Sequence, residues 1–591
     1  MKNSKDQKQN GSLSMKDALS EFKHIRVIEN HNEKRDWRNF FWNYPTFLVS
    51  LFKKTIPFSY IFLSLVAAFL VGLFFQSNIF AKFLRSNSSA NDTYTEGMVG
   101  AISSFNPLFV SANYVDKVVD SLVFEKFVYI DTSGKPTPGV AKEWSVSEDN
   151  LTYSFVLDED LYWQNGDPVT IDDVLFTFNT AVSLYSDYHF DSVGSALEGI
   201  TISAIDEETI QFTLKSSNPT FFEAISLYIV PKSVLEDVSM TEMPFDSFAV
   251  SPVGCGKYRV EKTEQNAVYL VDNEYDEYYP SLKNIVFRIY PDYASLETAM
   301  RVGDIDALGT WDSEALSFMK DYPNYGVLTK DEIYRNRILF FNVRKDVLKD
   351  KNLRIGLSYL LNKEALLSEA PLEGDVMQGP IPSTSWAFNS QLDYYAYNAE
   401  KAAAFLSNAG YTKNAETEYF ESKEGDILSF TLSYLDNDLN KRVVATIVSL
   451  FDKEGVVIKP RALSYNEISQ QVIATRDFEI LLYEVETTVD PDQYNLWHSL
   501  KVNYPDLNLS GYEYERVDIL LEDARKTNNV TTRQTKYNQF QRYLMADAPA
   551  IFLYHPTFVF YFNSKLSGID MTNTNFSYER YWNIQDWKWN L

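Results

Sequence analysis

The chain has 591 residues, 15% of them aromatic, and sets 54 Lys and Arg against 81 Asp and Glu for a formal net charge of −27. At 45% hydrophobic it has the apolar material for about three or four domains of ~150 residues, which excludes wholesale disorder. So acidic a chain is a poor partner for nucleic acid, and one Cys excludes a disulfide framework or a Cys-based zinc cluster.

The charge is unevenly spread. Residues 1–55 form a basic head of net +5, residues 56–81 carry no charge, and the remainder is −32. Within the gap, Ile56–Phe75 (IPFSYIFLSLVAAFLVGLFF) is 20 uncharged residues, and a helix of that length is ~30 Å long, the thickness of a hydrocarbon core. Lys53 and Lys54 before it place the N-terminus in the cytoplasm and the body outside. The long head and the lack of an Ala-x-Ala site argue for a permanent single-pass anchor over a cleaved signal peptide. Residues 82–94, with their polar RSNSSANDT run, read as a tether.

The body reads as mixed α/β. Tyr153, Phe155 and Leu157 alternate as in a half-buried strand, and the Gln164–Asp167 turn follows. Thr170 caps a helix, with Asp173 at its third position and Ile171, Val174, Leu175, Phe178 and Val182 on one face. Further strands are expected at Ile210–Leu214 and Ile285–Tyr290. From Leu428 the pattern is strand (LSFTLSYL), helix (Val443, Val444, Ile447, Phe451), strand (VVIKP), helix (Asn466–Ala474), strand (FEILLYE). Such alternation predicts a parallel or mixed sheet with helices on its faces, whose ligands bind beyond the carboxyl ends of strands. The loop after FEILLYE, ETTVDPDQYNLWHS, is therefore the place to look for a site.

Catalytic motifs are nearly absent. There is no G-x-S-x-G, H-E-x-x-H, C-x-x-C or phosphate-binding loop, and the S-x-x-K match Ser317–Lys320 lacks its S-D-N and K-T-G partners. The pairs Asp304/Asp306 and Asp490/Asp492 invite a cation or hydrolysis, but the former reads as a loop. His189, His498 and His555 are too scattered for a metal motif, so neither metal nor cofactor is expected.

From about Thr95 onward the chain resembles the solute-binding proteins of ABC importers, in the dipeptide/oligopeptide (family 5) group. The likeness is carried in order by Ser104-Phe-Asn-Pro-Leu108, Pro138-Gly-Val-Ala-Lys-Glu-Trp144, Leu151-Thr-Tyr-Ser-Phe155, Trp163-Gln-Asn-Gly-Asp-Pro and Thr170-Ile-Asp-Asp-Val174. It continues through Pro252-Val-Gly-Cys-Gly-Lys-Tyr258, Gly303-Asp-Ile-Asp306, Phe340-Phe-Asn-Val343, Asp350-Lys-Asn-Leu-Arg354, Gly379-Pro-Ile-Pro382, Asp490-Pro-Asp492 with Trp497-His498, and Ala548-Pro-Ala-Ile-Phe-Leu-Tyr554. Cys255 and Lys257 stand where the family commonly has Thr and Pro.

The resemblance implies a two-lobed α/β fold of the periplasmic-binding-protein type (type II, with an extra small domain), behind one N-terminal transmembrane helix. The boundaries it implies are 95–135, 247–334 and 548–591 for the first lobe, 136–246 for the inserted small domain and 335–547 for the second lobe. Behind a cytoplasmic head (1–55), anchor (56–81) and tether (82–94), the extracytoplasmic body would be a monomeric, non-enzymatic importer subunit. Peptides and the permease with its ATPases would be its partners, and the bilayer would hold residues 56–75. The residues expected at the ligand are Asp490, first choice for the peptide ammonium, then Asp492, Tyr494, Trp497, Trp386, Phe105 and Asn106. For Asp490 turn capping weighs equally, and for Trp497 core packing weighs more. A same-fold sensor, or a binder of a nickel complex or oligosaccharide, is the alternative.

Overall fold

The computed structural model describes residues 92–590, apart from 110–112, 189–192, 198 and 277–278. The head 1–55 and the expected span Ile56–Phe75 lie outside the described residues, as do His189 and nearly all of the tether. Among the described residues no helix is long and apolar enough to cross a membrane.

A mixed sheet of 12 strands runs through the described chain. From one edge its order is Val457–Leu463, Ser429–Leu435, Ile480–Glu486, Arg335–Phe341, Ala550–Asn563, Ala307–Thr310, Thr93–Val99, Asn284–Tyr290, Ala267–Asp272 and Tyr258–Glu264. Ala550–Asn563 is the pivot. Its first half pairs with Arg335–Phe341 and Gly374–Val376, and its second half with Ala307–Thr310 and Tyr325–Asp331. A register shift between Arg337 and Ile338 bends the ladder within the first half, at Phe552–Tyr554.

Of four hydrophobic cores among the described residues, a small one around Leu296, Met300 and Leu316 lies beside the first-lobe strands, and three larger ones define the units. One gathers Tyr94, Phe105, Val119, Phe287 and Trp587, a first lobe that draws on both ends of the described chain. A second gathers Phe340, Leu357, Phe430, Ile447, Trp497 and Phe540, the second lobe. A third, around Phe127, Phe155, Trp163, Phe178 and Phe212, fills a small unit. That unit has its own antiparallel sheet in the order Ala141–Val146, Thr152–Leu157, Thr209–Thr213, Thr201–Ala204.

Local sequence explains many of these elements. The strand Thr152–Leu157 buries Tyr153, Phe155 and Leu157 alternately. The helix Ile171–Ser186 starts at a capping box in which Thr170 and Asp173 satisfy each other's backbone N–H groups. In the second lobe, Ser429–Leu435 runs parallel to both Val457–Leu463 and Ile480–Glu486, the β-α-β-α-β order expected. The expected helix Asn466–Ala474 differs. One α-turn, Tyr465–Glu467, runs into a π-helix, Ile468–Ile473, whose wider turn brings Ile468, Val472 and Ile473 together onto the core.

Glycine is demanded at one turn beside the small unit. A Cβ on Gly254 would lie 1.9 Å from the Val123 carbonyl oxygen, and one on Gly256 2.6 Å from that of Leu122. Between them Cys255 is a buried free thiol packed in the third core, and burial pushes its pKa up, away from reactivity.

Candidate functional site at the lobe interface

The strand Ile480–Glu486 begins apolar and ends charged. Side chains two apart on a strand share a face, so Glu484 and Glu486 point the same way. The antiparallel neighbour places Arg337 opposite Glu484 and Arg335 opposite Glu486. Two cations and two anions thus form a cross-strand block at the edge of the second lobe.

Arg335 is its centre. The guanidinium, 7% exposed, pairs with Glu484, with Glu486 at 2.7 Å and with Glu332 at 2.9 Å, and lies 3.9 Å over the Trp311 ring. Burial opposes its charge more than any other single effect, yet the three carboxylates outweigh it and raise the pKa. Burial likewise works to raise the Glu484 carboxyl, and Arg335 with Arg337 overcomes it and holds the pKa below the usual value. Trp311 Nε1 donates to Glu332 at 2.6 Å, which ties the block to the first lobe.

Two further ion pairs join the lobes. Lys117, on the first-lobe helix Tyr114–Val123, reaches Glu486 at 2.5 Å. Arg442, on the second-lobe helix Asp438–Glu454, pairs with the buried Asp312 of the first. The small unit joins through Glu223, whose Oε1 accepts the Asp490 N–H at 2.7 Å. Ion pairs of this kind can part and meet again without exposing a core.

The loop beyond the strand brings three of the expected residues, Asp490, Asp492 and Tyr494, together with a fourth, Trp386, from another part of the chain. Asp490 receives both arms of the Arg533 guanidinium, at 2.6 and 2.7 Å, and Trp386 and Tyr537 flank that cation at 5.4 and 5.5 Å. Burial raises the Asp490 pKa against this pairing. Asp492 binds Arg525 Nε at 2.9 Å, and the same guanidinium lies 3.9 Å over the Tyr494 ring. Trp386 is 37% exposed, the most open of the group.

The other three lie apart. Trp497 is fully buried against Phe340 and Phe552, with Nε1 on Gln493. Phe105 is buried in the first-lobe core. Asn106 is buried beside it and accepts the Leu108 N–H, while its Nδ2 has no hydrogen-bond partner. His498 stacks on Tyr494 and His555 meets the Arg335 carbonyl, and no group among the described residues is arranged to hold a metal ion. Ser317 and Lys320 line a cavity of about 560 Å³ with Leu372, Glu373 and Tyr561.

Lys117, Arg335, Glu484, Glu486, Asp312 and Arg442 were not among the residues expected from the sequence. A signal was present: Arg335-Asn-Arg337 and Glu484-Val-Glu486 each put two like charges at period two beside an apolar strand.

Residues 135–504 match the bacterial extracellular solute-binding proteins, family 5 middle. The chain belongs to this family. Solute binding, as part of an ABC importer, is therefore its business, and catalysis is not. The oligopeptide-binding protein AppA of Bacillus subtilis is 23% identical over 493 residues, 81% of this chain and 89% of AppA. The dipeptide-binding protein of Escherichia coli is 24% identical over 483 residues, 78% of this chain and 88% of its own length. Among solved structures, NikZ from Campylobacter jejuni in complex with Ni(L-His) aligns with a TM-score of 0.73 at 26% identity, covering 84% of this chain and 99% of NikZ. These relatives are two-lobed α/β binding proteins, as is this solute-binding protein.

Proposed function

We propose that this solute-binding protein captures short peptides between its lobes and hands them to an ABC permease, held at the outer membrane face by Ile56–Phe75. The observation that carries the reading is the charged interface itself. Opposite lobes meet through Lys117–Glu486 and Arg442–Asp312, beside the Asp490 loop with its aromatic neighbours. A peptide zwitterion brings one ammonium, one carboxylate and a row of unpaired backbone groups, and all three need partners once water is excluded. Asp490 and Asp492, backed by Arg533 and Arg525, with Tyr494 and Trp386, are proposed as one wall of that space; Phe105, Asn106 and Trp497 are proposed as the packing that supports it. The similarity to AppA and to the E. coli dipeptide-binding protein favours peptides.

The test is thermal unfolding of the purified full-length chain with a library of di- to nonapeptides. A peptide-dependent rise in the midpoint is expected, and no rise with any peptide would overturn the assignment. Ni(L-His) belongs in the same screen, since the likeness to NikZ favours a metal complex as the second reading. The anchor is tested separately: the protein should stay in the membrane fraction after alkaline carbonate washing, and deletion of residues 56–75 should release it.

A further inference from the structure

The bridge between Lys117 and Glu486 exists only while the lobes touch. Lys117 Nζ stands 2.5 Å from Glu486 Oε2 and 5.3 Å from the centre of the Tyr578 ring. An ammonium between a carboxylate oxygen and an aromatic face has the surroundings that bind a primary amine. The helix dipole does not favour a cation there, because Lys117 lies in the first turn of Tyr114–Val123, where it favours anions. The charge count of the block explains its presence. Glu332, Glu484 and Glu486 face Arg335 and Arg337, which leaves one carboxylate in excess until Lys117 arrives.

We propose that Lys117 is a specificity-determining residue, its ammonium standing on Glu486 in the place of a ligand's ammonium. A solute that brings its own amine to Glu486 displaces Lys117 and keeps the block neutral. A solute without an amine leaves the bridge standing and gains nothing from Glu486. Lys117 thereby favours the shut, empty protein and competes directly with cationic ligands. This rests on the peptide reading above, and its test is arranged so that the two can fail separately.

The experiment compares the full-length wild type with Lys117→Met, which keeps the length of the side chain against Tyr578, and with Lys117→Arg. Trialanine and N-acetyl-trialanine are the titrants in calorimetry. A part-exposed ion pair is worth at most about 1 kcal/mol, so Lys117→Met should bind trialanine about fivefold tighter, with the acetylated peptide unaffected and Lys117→Arg restoring wild-type behaviour. Equal or weaker trialanine binding by Lys117→Met, or equal tightening for both peptides, overturns the proposal. Spin labels on Glu261→Cys of the first lobe and Lys423→Cys of the second then test the bridge without a ligand. Salt should broaden the interlobe distance in the wild type, and Lys117→Met should be broad already at low salt. If trialanine binds nothing while the labels behave so, the peptide reading is wrong and the bridge stands; label distances that ignore both salt and Lys117→Met overturn the bridge.

Discussion

Glu223 gives a pH dependence with a definite sign. It lies in the short helix Phe221–Ala224 of the small unit, and its carboxylate accepts the Asp490 N–H. Burial pushes its carboxyl from 4.5 up to about 7; the Asp490 and Asp492 carboxylates add to the push, and hydrogen bonds from Thr488 and the Asp490 N–H oppose it. Between those two values the folded protein binds more protons than the unfolded chain. The contribution of this group is therefore fully present below about pH 4.5 and is lost as pH rises through about 7. The whole shift corresponds to about 3 kcal/mol, and residual solvent contact reduces it to ~1–2 kcal/mol. Glu223→Gln keeps an oxygen for the Asp490 N–H and removes the titration. Urea unfolding should find the two proteins alike near pH 4.5 and the variant more stable by ~1–2 kcal/mol at pH 8. Parallel pH profiles, or a wild-type advantage that grows with pH, would refute the reasoning.

Other perturbations separate the roles of the charged pairs. Arg335→Leu strands Glu332, which is fully buried, together with Glu484 and Glu486, and should cost about 3–5 kcal/mol in urea unfolding; a loss below ~1 kcal/mol would mean that water reaches the block. Asp490→Asn takes the charge from a two-armed pair and leaves the Arg533 guanidinium buried, so it should lower stability by about 3 kcal/mol and weaken peptide-induced stabilisation. Gly254→Ala, with no room beside the Val123 carbonyl, should lower the thermal midpoint measured by circular dichroism by more than Cys255→Ala does.

How much of this was legible beforehand depends on how far apart the partners lie. The strand Thr152–Leu157 and the Thr170 cap are written in runs of six residues or fewer, because alternation and capping act between near neighbours. The order of elements from Ser429 to Glu486 followed from the same periodicities, and the family was readable from short motifs in sequence. The π-turn at Ile468–Ile473 was not, since its apolar spacing also fits an α-helix until the core demands three side chains at once. The candidate site was half legible. The Asp490 loop follows from its place beyond a strand, but Arg525 and Arg533 come from helices 33 and 43 residues later. Glu486 meets Lys117 across 369 residues, a pairing fixed by topology alone. Charges that find partners so far away look, in one dimension, like ordinary surface charges.

The long strand Ala550–Asn563 has a consequence for how this protein comes into being. Its neighbours on one side begin near residue 335, and on the other the first-lobe sheet continues to Thr93–Val99. Neither lobe can complete its sheet before this segment has been made, so a chain emerging residue by residue carries two unfinished halves until its last tenth appears. An open sheet edge invites pairing with other chains, and here two such edges wait for the same 14 residues. Only the small unit, whose sheet and core are its own, can finish before that segment is made. Loss of that one strand would cost the molecule both halves together.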